Sequence, residues 1–343
     1  MRRFFHPTTM RGRRALGLRI RDLFRDLFRD LFRDRSTAPV RVAAPGILLA
    51  WCFVAAAPAA RASDVAPISV CATVGMVADM AREVGGGSVA VHALMGPGVD
   101  PHLYKATSSD LVRLQRADLI LYSGLHLEGR MQETFERLRR SGRQVRAVTD
   151  GLPRSRLIGA GGEGQHDPHV WFDVRLWADC ADTVAEALAG ARPASAGNFR
   201  RSAVALKERL DGLDRWVRGR VAEVPASRRI LVTSHDAFGY FGRAYGFQVV
   251  ALQGISTVTE AGLADMAQLT DFIRAKGVPA VFIESSVSPA GVQRISKDAG
   301  VRLGGELFSD ALGSPGQKHD GFDLGTYEGM IRRNVDRIVE GLK

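Results

Sequence analysis

The chain has 343 residues, 45% hydrophobic and 24% charged, which gives room for two compact domains and matches the composition of a globular protein. Its formal charge of +10 is unevenly placed: residues 1–62 hold 13 Arg, no Lys and 4 Asp, whereas 63–343 hold 34 basic and 33 acidic residues. No basic face is left on the main body to read phosphates, so nucleic acid drops out as a partner.

Along the chain, residues 21–34 repeat Arg-Asp-Leu-Phe three times and begin again with Arg33-Asp34. The preferred reading is a low-complexity stretch ahead of a true start near Val40. Residues 42–60 are apolar, follow basic residues and lead to the small-x-small triplet Ala60-Arg61-Ala62. The strongly apolar part, 46–57, is shorter than the about 20 residues a membrane-spanning helix needs. The expectation is a cleavable signal peptide cut after Ala62, and a periplasmic destination. Bulky Trp51 argues against a lipid on Cys52. Cys71 and Cys180 fit no metal spacing and read as two separate buried thiols.

Residues 68–74 read as a strand, 76–84 as a helix stopped by Gly85-Gly86-Gly87, and 88–95 as a second strand. Helices follow at 109–116 and 128–140, with strands at 119–122 and 144–148. A glycine-rich loop, 159–164, precedes a helix at 176–188. The longest helical pattern, 196–221, carries Phe199, Val204, Leu206, Leu210, Leu213 and Val217 at helix spacing. Strands then recur at 229–233, 248–252, 280–284 and 301–307 before a last helix at 327–342. This alternation predicts an α/β fold: two lobes with mainly parallel sheets, 63–195 and 224–343, joined by one long rigid helix over 196–223. Residues 1–62 form an extension outside both.

Four loops that follow apolar runs each carry a metal-type donor: His102, His169, His235 and Asp310. Alone, each has an ordinary explanation, such as a surface histidine, a core histidine bonded to backbone, or a helix cap at Asp310. Together, three imidazoles and one carboxylate are the set a borderline cation such as Zn²⁺ accepts. Two come from each predicted lobe, beyond the carboxyl ends of strands or in loops beside them. A site in the interlobe cleft is therefore expected.

The segments GVDPHLYKAT (98–107), SGLHLEGRM (123–131), DPHVWFDV (167–174), TSHDAFGYF (233–241), QGISTVTEAG (253–262), ESSVSP (284–289), LFSDALG (307–313) and TYEGMIRRNVDRI (326–338) occur in order. Through them the chain from about residue 66 onward resembles the solute-binding proteins of zinc/manganese ABC importers, the TroA/ZnuA type of cluster A-I. The resemblance implies metal ligands at His102, His169, His235 and Asp310. It also implies delivery of the ion to an ABC-type membrane permease, and a monomer with no enzymatic activity. It assigns the segment around His126 to packing or supporting contacts. His166 stands where zinc-specific relatives carry a His-rich loop, and one histidine there gives no support to His-rich delivery. His319, His92 and His6 read as surface, strand and precursor residues. Manganese-selective relatives place a carboxylate at the third ligand position; His235 there favours Zn²⁺, with Mn²⁺ second.

The long helix predicts small tilts and loop reordering, with 159–164 and 253–262 as the loops concerned. Two rival classes are weighed. A zinc-dependent hydrolase would need an open coordination position and a base, for which Asp236 and Glu284 are the candidates. A two-lobed binder of chelated iron or cobalamin would leave the His/Asp set without purpose.

Overall fold

The computed structural model describes residues 66–343 apart from Glu163. The chain divides into two units between Ser63 and Asp64. The Arg-Asp-Leu-Phe repeat, the signal segment with its cleavage site, Cys52 and His6 lie outside the described residues.

Strands β1 (Ile68–Ala72), β2 (Val89–Ala93), β3 (Leu119–Tyr122) and β4 (Val145–Ala147) form one sheet in the order β2-β1-β3-β4, every neighbouring pair parallel. Parallel neighbours require crossovers, supplied by α1 (Gly75–Gly85), α2 (Ser108–Arg116) and α3 (Gln132–Arg140). All four residues of β3 are buried, as an unbroken Leu-Ile-Leu-Tyr run requires. The Thr107 hydroxyl accepts from Asp110 N (3.2 Å), and the Asp110 carboxylate accepts from Thr107 N (2.9 Å). This reciprocal cap starts α2 and fixes the far end of the loop that carries His102.

The helix α4 (Val174–Ala191) packs along α5 (Ala196–Val221), whose 26 residues make it the longest described element. Phe199, Leu206, Leu210, Leu213 and Val217 are buried along one stripe. Val204, expected within that stripe, is 55% exposed. At 3.6 residues per turn it lies about 140° around the helix from Phe199.

In the second half, β5 (Ile230–His235) pairs with β6 (Gln248–Gln253), and β7 (Ala280–Glu284) with β8 (Arg302–Leu307), both parallel, with β5 beside β7. The crossovers are α6 (Gly239–Tyr245), α7 (Leu263–Lys276) and α8 (Ala290–Ala299), and α9 (Tyr327–Leu342) closes the chain. Gly277 and Gly300 end α7 and α8 at φ of 60° and 71°, the left-handed stop that glycine adopts without Cβ strain. A short antiparallel pair, β9 (Lys318–His319) with β10 (Phe322–Asp323), was not expected, because two-residue strands leave no periodicity to read.

One apolar cluster runs from β1 and β3 through Trp177 and α5 to Phe282, Leu307 and Met330. A smaller one gathers Val232, Ile273, Val281 and Ile295 under α7 and α8. Cys71 and Cys180 are buried and unbridged, in agreement with the reading of two separate thiols, and burial pushes the Cys71 thiol up to about 12. Among the described residues no helix is long and apolar enough to cross a membrane.

Asp79 on α1 accepts the Tyr327 N–H at 2.8 Å and so ties the first sheet's helix to the start of α9. Burial pushes its carboxyl up to about 6, only partly offset by that N–H, with Glu83 adding repulsion. An acid with a raised folded-state pKa stabilises the fold when protonated, and that stability is lost as pH climbs through about 4 to 6. Asp79→Asn retains an acceptor for Tyr327 and removes the buried charge. It is expected to raise stability by about 2 kcal/mol at pH 7.5 and by little at pH 4, read by denaturant unfolding at both pH values. A variant no more stable at pH 7.5 than wild type would refute this.

Candidate metal centre

Two of the four donors are set by the same local device. In Asp100-Pro101-His102 and in Asp167-Pro168-His169, the aspartate carboxylate accepts the backbone N–H of the histidine two residues on, at 2.8 and 2.9 Å. Such an Asx turn folds the loop back and presents the imidazole. The devices then diverge. Asp167 Oδ1 also meets His169 Nδ1 at 2.7 Å, whereas the second oxygen of Asp100 accepts the Thr257 hydroxyl at 2.6 Å.

His235 is the last residue of β5, beyond which functional groups gather in open α/β sheets. Glu284, at the end of the adjacent β7, accepts the backbone N–H groups of Ser234 (2.8 Å) and His235 (2.9 Å) on one oxygen. Its other oxygen meets His235 Nδ1 at 2.5 Å. Asp310 follows β8 in a loop steadied by the Trp171 indole N–H, which donates to the Ser309 carbonyl at 3.0 Å.

With the Nδ1 atoms of His169 and His235 held by carboxylates, their Nε2 atoms turn inward. His169 Nε2 lies 3.3 Å from His102 Nε2, 3.4 Å from His235 Nε2 and 3.3 Å from Asp310 Oδ1. His235 Nε2 lies 3.3 Å from Asp310 Oδ2. A tetrahedral ion with bonds of about 2.0–2.1 Å holds its ligands about 3.3–3.4 Å apart. Four of the contacts among the four sequence-predicted residues match that spacing, and all four donor atoms lie within 4.8 Å of one another, close enough to share one small cation. His169 and His235 are fully buried, Asp310 is 1% exposed and His102 is 5% exposed. Asp310 Oδ1 is buried without a hydrogen-bond partner, an orphaned acceptor aimed at the centre.

The local charges are tightly coupled. Burial disfavours a charged His169, but the Asp167 and Asp310 carboxylates overcome it and raise its pKa to about 9. Burial likewise opposes charge on His235, and Glu284 with Asp310 drives its pKa well above 6.5. His102 has no such partner: burial, with the other two imidazoles adding, lowers it to about 3 against the pull of Asp310. Burial works against the Asp310 carboxylate, yet the His235 and His169 imidazoles hold it well below the usual range.

The remaining histidines stand apart. His126, in the left-handed region at φ 65°, lines a separate cavity of about 300 Å³ with His166, Asp150 and Arg154. Its segment does serve packing, since buried Glu128 gathers the Thr73 hydroxyl and the N–H groups of Ser123 and Gly124. His92 is an exposed residue of β2. His319, expected at the surface, is half-buried and lies 2.9 Å from Asp336. That carboxylate is already paired with Arg220 at 2.8 Å, which leaves the His319–Asp320–Asp336 group a poor cation site. Glu284, weighed as a hydrolytic base, is committed to His235 and two backbone N–H groups.

Glu284 and Asp167 as orienting carboxylates were missed from sequence. The repeated Asp-Pro-His triplet was a usable signal for Asp167. Nothing local announced Glu284, 49 residues beyond His235.

An α/β chain whose buried cluster joins three imidazoles and one carboxylate belongs to the class of proteins built to hold a metal ion. Residues 70–341 match the family described as ZnuA, zinc-uptake complex component A, periplasmic. The chain is 45% identical over 281 residues to the manganese-binding lipoprotein MntA of Bacillus subtilis (strain 168), covering 80% of this chain and 90% of that one. It is 46% identical over 286 residues to the zinc-binding protein TroA of Treponema pallidum (strain Nichols), covering 82% and 90%. Among solved structures, the periplasmic zinc-binding protein TroA from Treponema pallidum superposes with a TM-score of 0.76 at 46% identity, over 80% of this chain and 99% of that one. A manganese-bound periplasmic metal-binding protein from Candidatus Liberibacter asiaticus gives 0.71 at 26% identity, over 80% and 100%. The chain belongs to the ZnuA/TroA family, whose members are substrate-binding proteins of metal ABC importers and not enzymes.

Proposed function

We propose that the chain captures one divalent cation, Zn²⁺ in preference to Mn²⁺, through His102, His169, His235 and Asp310, and passes it to an ABC-type permease. The observation that carries this reading is the convergence of the four donors, all within 4.8 Å of one another, with His169 3.3–3.4 Å from each of the other three and His235 3.3 Å from Asp310. The orphaned Asp310 Oδ1 supports it.

Zinc is favoured over manganese on two grounds. Three imidazoles suit a borderline ion better than a hard one, and the affinity order of divalent ions runs the same way. The relatives' names include both metals, so the preference rests on this chain's own donors.

The capture domain is read as two lobes, 63–195 and 224–343, joined by the helix 196–223, with His102 and His169 on one and His235 and Asp310 on the other. The chain is read as exported by the signal at 42–60, cut after Ala62 and working as a periplasmic monomer. Asp310 offsets part of the dication's charge, and Asp167 and Glu284 fix the two imidazoles whose Nε2 atoms face it. Titration of the metal-free chain with Zn²⁺ against Mn²⁺ tests the reading. One cation bound per chain, zinc held more tightly, is expected.

A further inference from the structure

The carboxylate of Asp100 serves two masters. One oxygen holds the backbone of His102, and the other accepts the Thr257 hydroxyl from a loop 157 residues away. In the sister triplet the corresponding aspartate spends its reach on its own imidazole instead. Residues 254–262 connect β6 to α7. The hydrogen bond that ties 255–261 to the rest of the described chain is that from Thr257 to Asp100.

Behind this loop lies a cavity of about 200 Å³ lined by Ser234, Gln253, Glu260 and Ala261, among others. Ser234 Oγ and Gln253 Oε1 are buried without partners. The loop is therefore not seated on a packed floor, and few contacts oppose its movement. Thr257 is only 7% exposed, whereas its neighbour Val258 is 57% exposed and Leu103, next to His102, is 41% exposed. The bond sits at the most accessible of the four donors.

We propose that Asp100 and Thr257 form a latch that sets how fast the cation leaves. The inference rests on the cargo reading above. While Thr257 donates to Asp100, the Asx turn under His102 and the 254–262 loop are one unit. When the bond breaks, the loop and the His102 turn come free together, and His102 becomes the donor that lets go first. Thr257 touches no cation; it is a positioning residue.

The test is stopped-flow release of Zn²⁺ from the loaded chain into excess chelator, for wild type, Thr257→Val and Thr257→Ser. Valine keeps the shape and removes the donor; serine restores it. Release about ten-fold faster from Thr257→Val, the size expected for one hydrogen bond to a charged group, with wild-type release from Thr257→Ser, supports the latch. The circular-dichroism spectra of the metal-free variants should match the wild type, which separates latching from a general loss of fold. Wild-type release from Thr257→Val, at one zinc per chain, overturns the latch and leaves the cargo reading intact. Failure of the wild-type chain to load zinc overturns both.

Discussion

Replacing His235 by alanine is expected to weaken zinc binding by about 10²-fold or more while the fold survives. A nanomolar four-ligand site corresponds to about −12 kcal/mol, so one ligand in four is worth about 3 kcal/mol, or about two decades in affinity. His235 is fully buried and shares the centre with His169 and Asp310, and no other described histidine lies close enough to replace it. The fold should persist because Glu284 keeps its hydrogen bonds from the backbone N–H groups of residues 234 and 235. The β5–β6 and β7–β8 pairings do not use the imidazole either. Zinc affinity by chelator competition, with the circular-dichroism spectrum of the metal-free variant alongside, reads both halves. Undiminished affinity would remove His235 from the centre.

The second large effect is on pH. A cation needs neutral imidazoles, so every proton held by a ligand in the metal-free state competes with it. His169, raised to about 9, and His235, raised well above 6.5, both hold protons at pH 7, whereas His102, lowered to about 3, holds none. Raising the pH strips those two protons and strengthens binding, by up to about 10² per pH unit while both are being displaced. From unperturbed imidazoles the rise would finish near 7; the carboxylates behind His169, raised to about 9, and behind His235 carry it to higher pH. Chelator competition at pH 6, 7 and 8, together with the protons released per zinc at pH 7, measures this. An affinity flat from pH 6 to 8 would contradict the charge state derived for the two histidines.

Much of this architecture was legible from sequence because its signals are local. The unbroken apolar run of β3, the stripe of α5 and the glycines that stop α7 and α8 each lie within one element. The centre was legible for a different reason: His102, His235 and Asp310 each lie at or beyond the end of a strand, where an α/β topology gathers side chains, and His169 repeats the Asp-Pro-His triplet of His102. Their supporting carboxylates were less so. Glu284 reaches His235 across neighbouring strands, and Asp100 reaches Thr257 across 157 residues, so neither pairing leaves a periodic trace. Val204 failed because a list of apolar positions is not yet a face, and its angle on α5 turns it to solvent. His319 failed because its partner Asp336 lies on α9 and is visible only once the β9–β10 pair has folded back.

Competitive titration of the metal-free chain with Zn²⁺ and Mn²⁺, followed to saturation against a chelator of known affinity, tests the central claim most directly. The four-donor centre predicts one zinc per chain and displacement of bound manganese by an equal concentration of zinc. No stoichiometric binding, or manganese that zinc fails to displace, would contradict it.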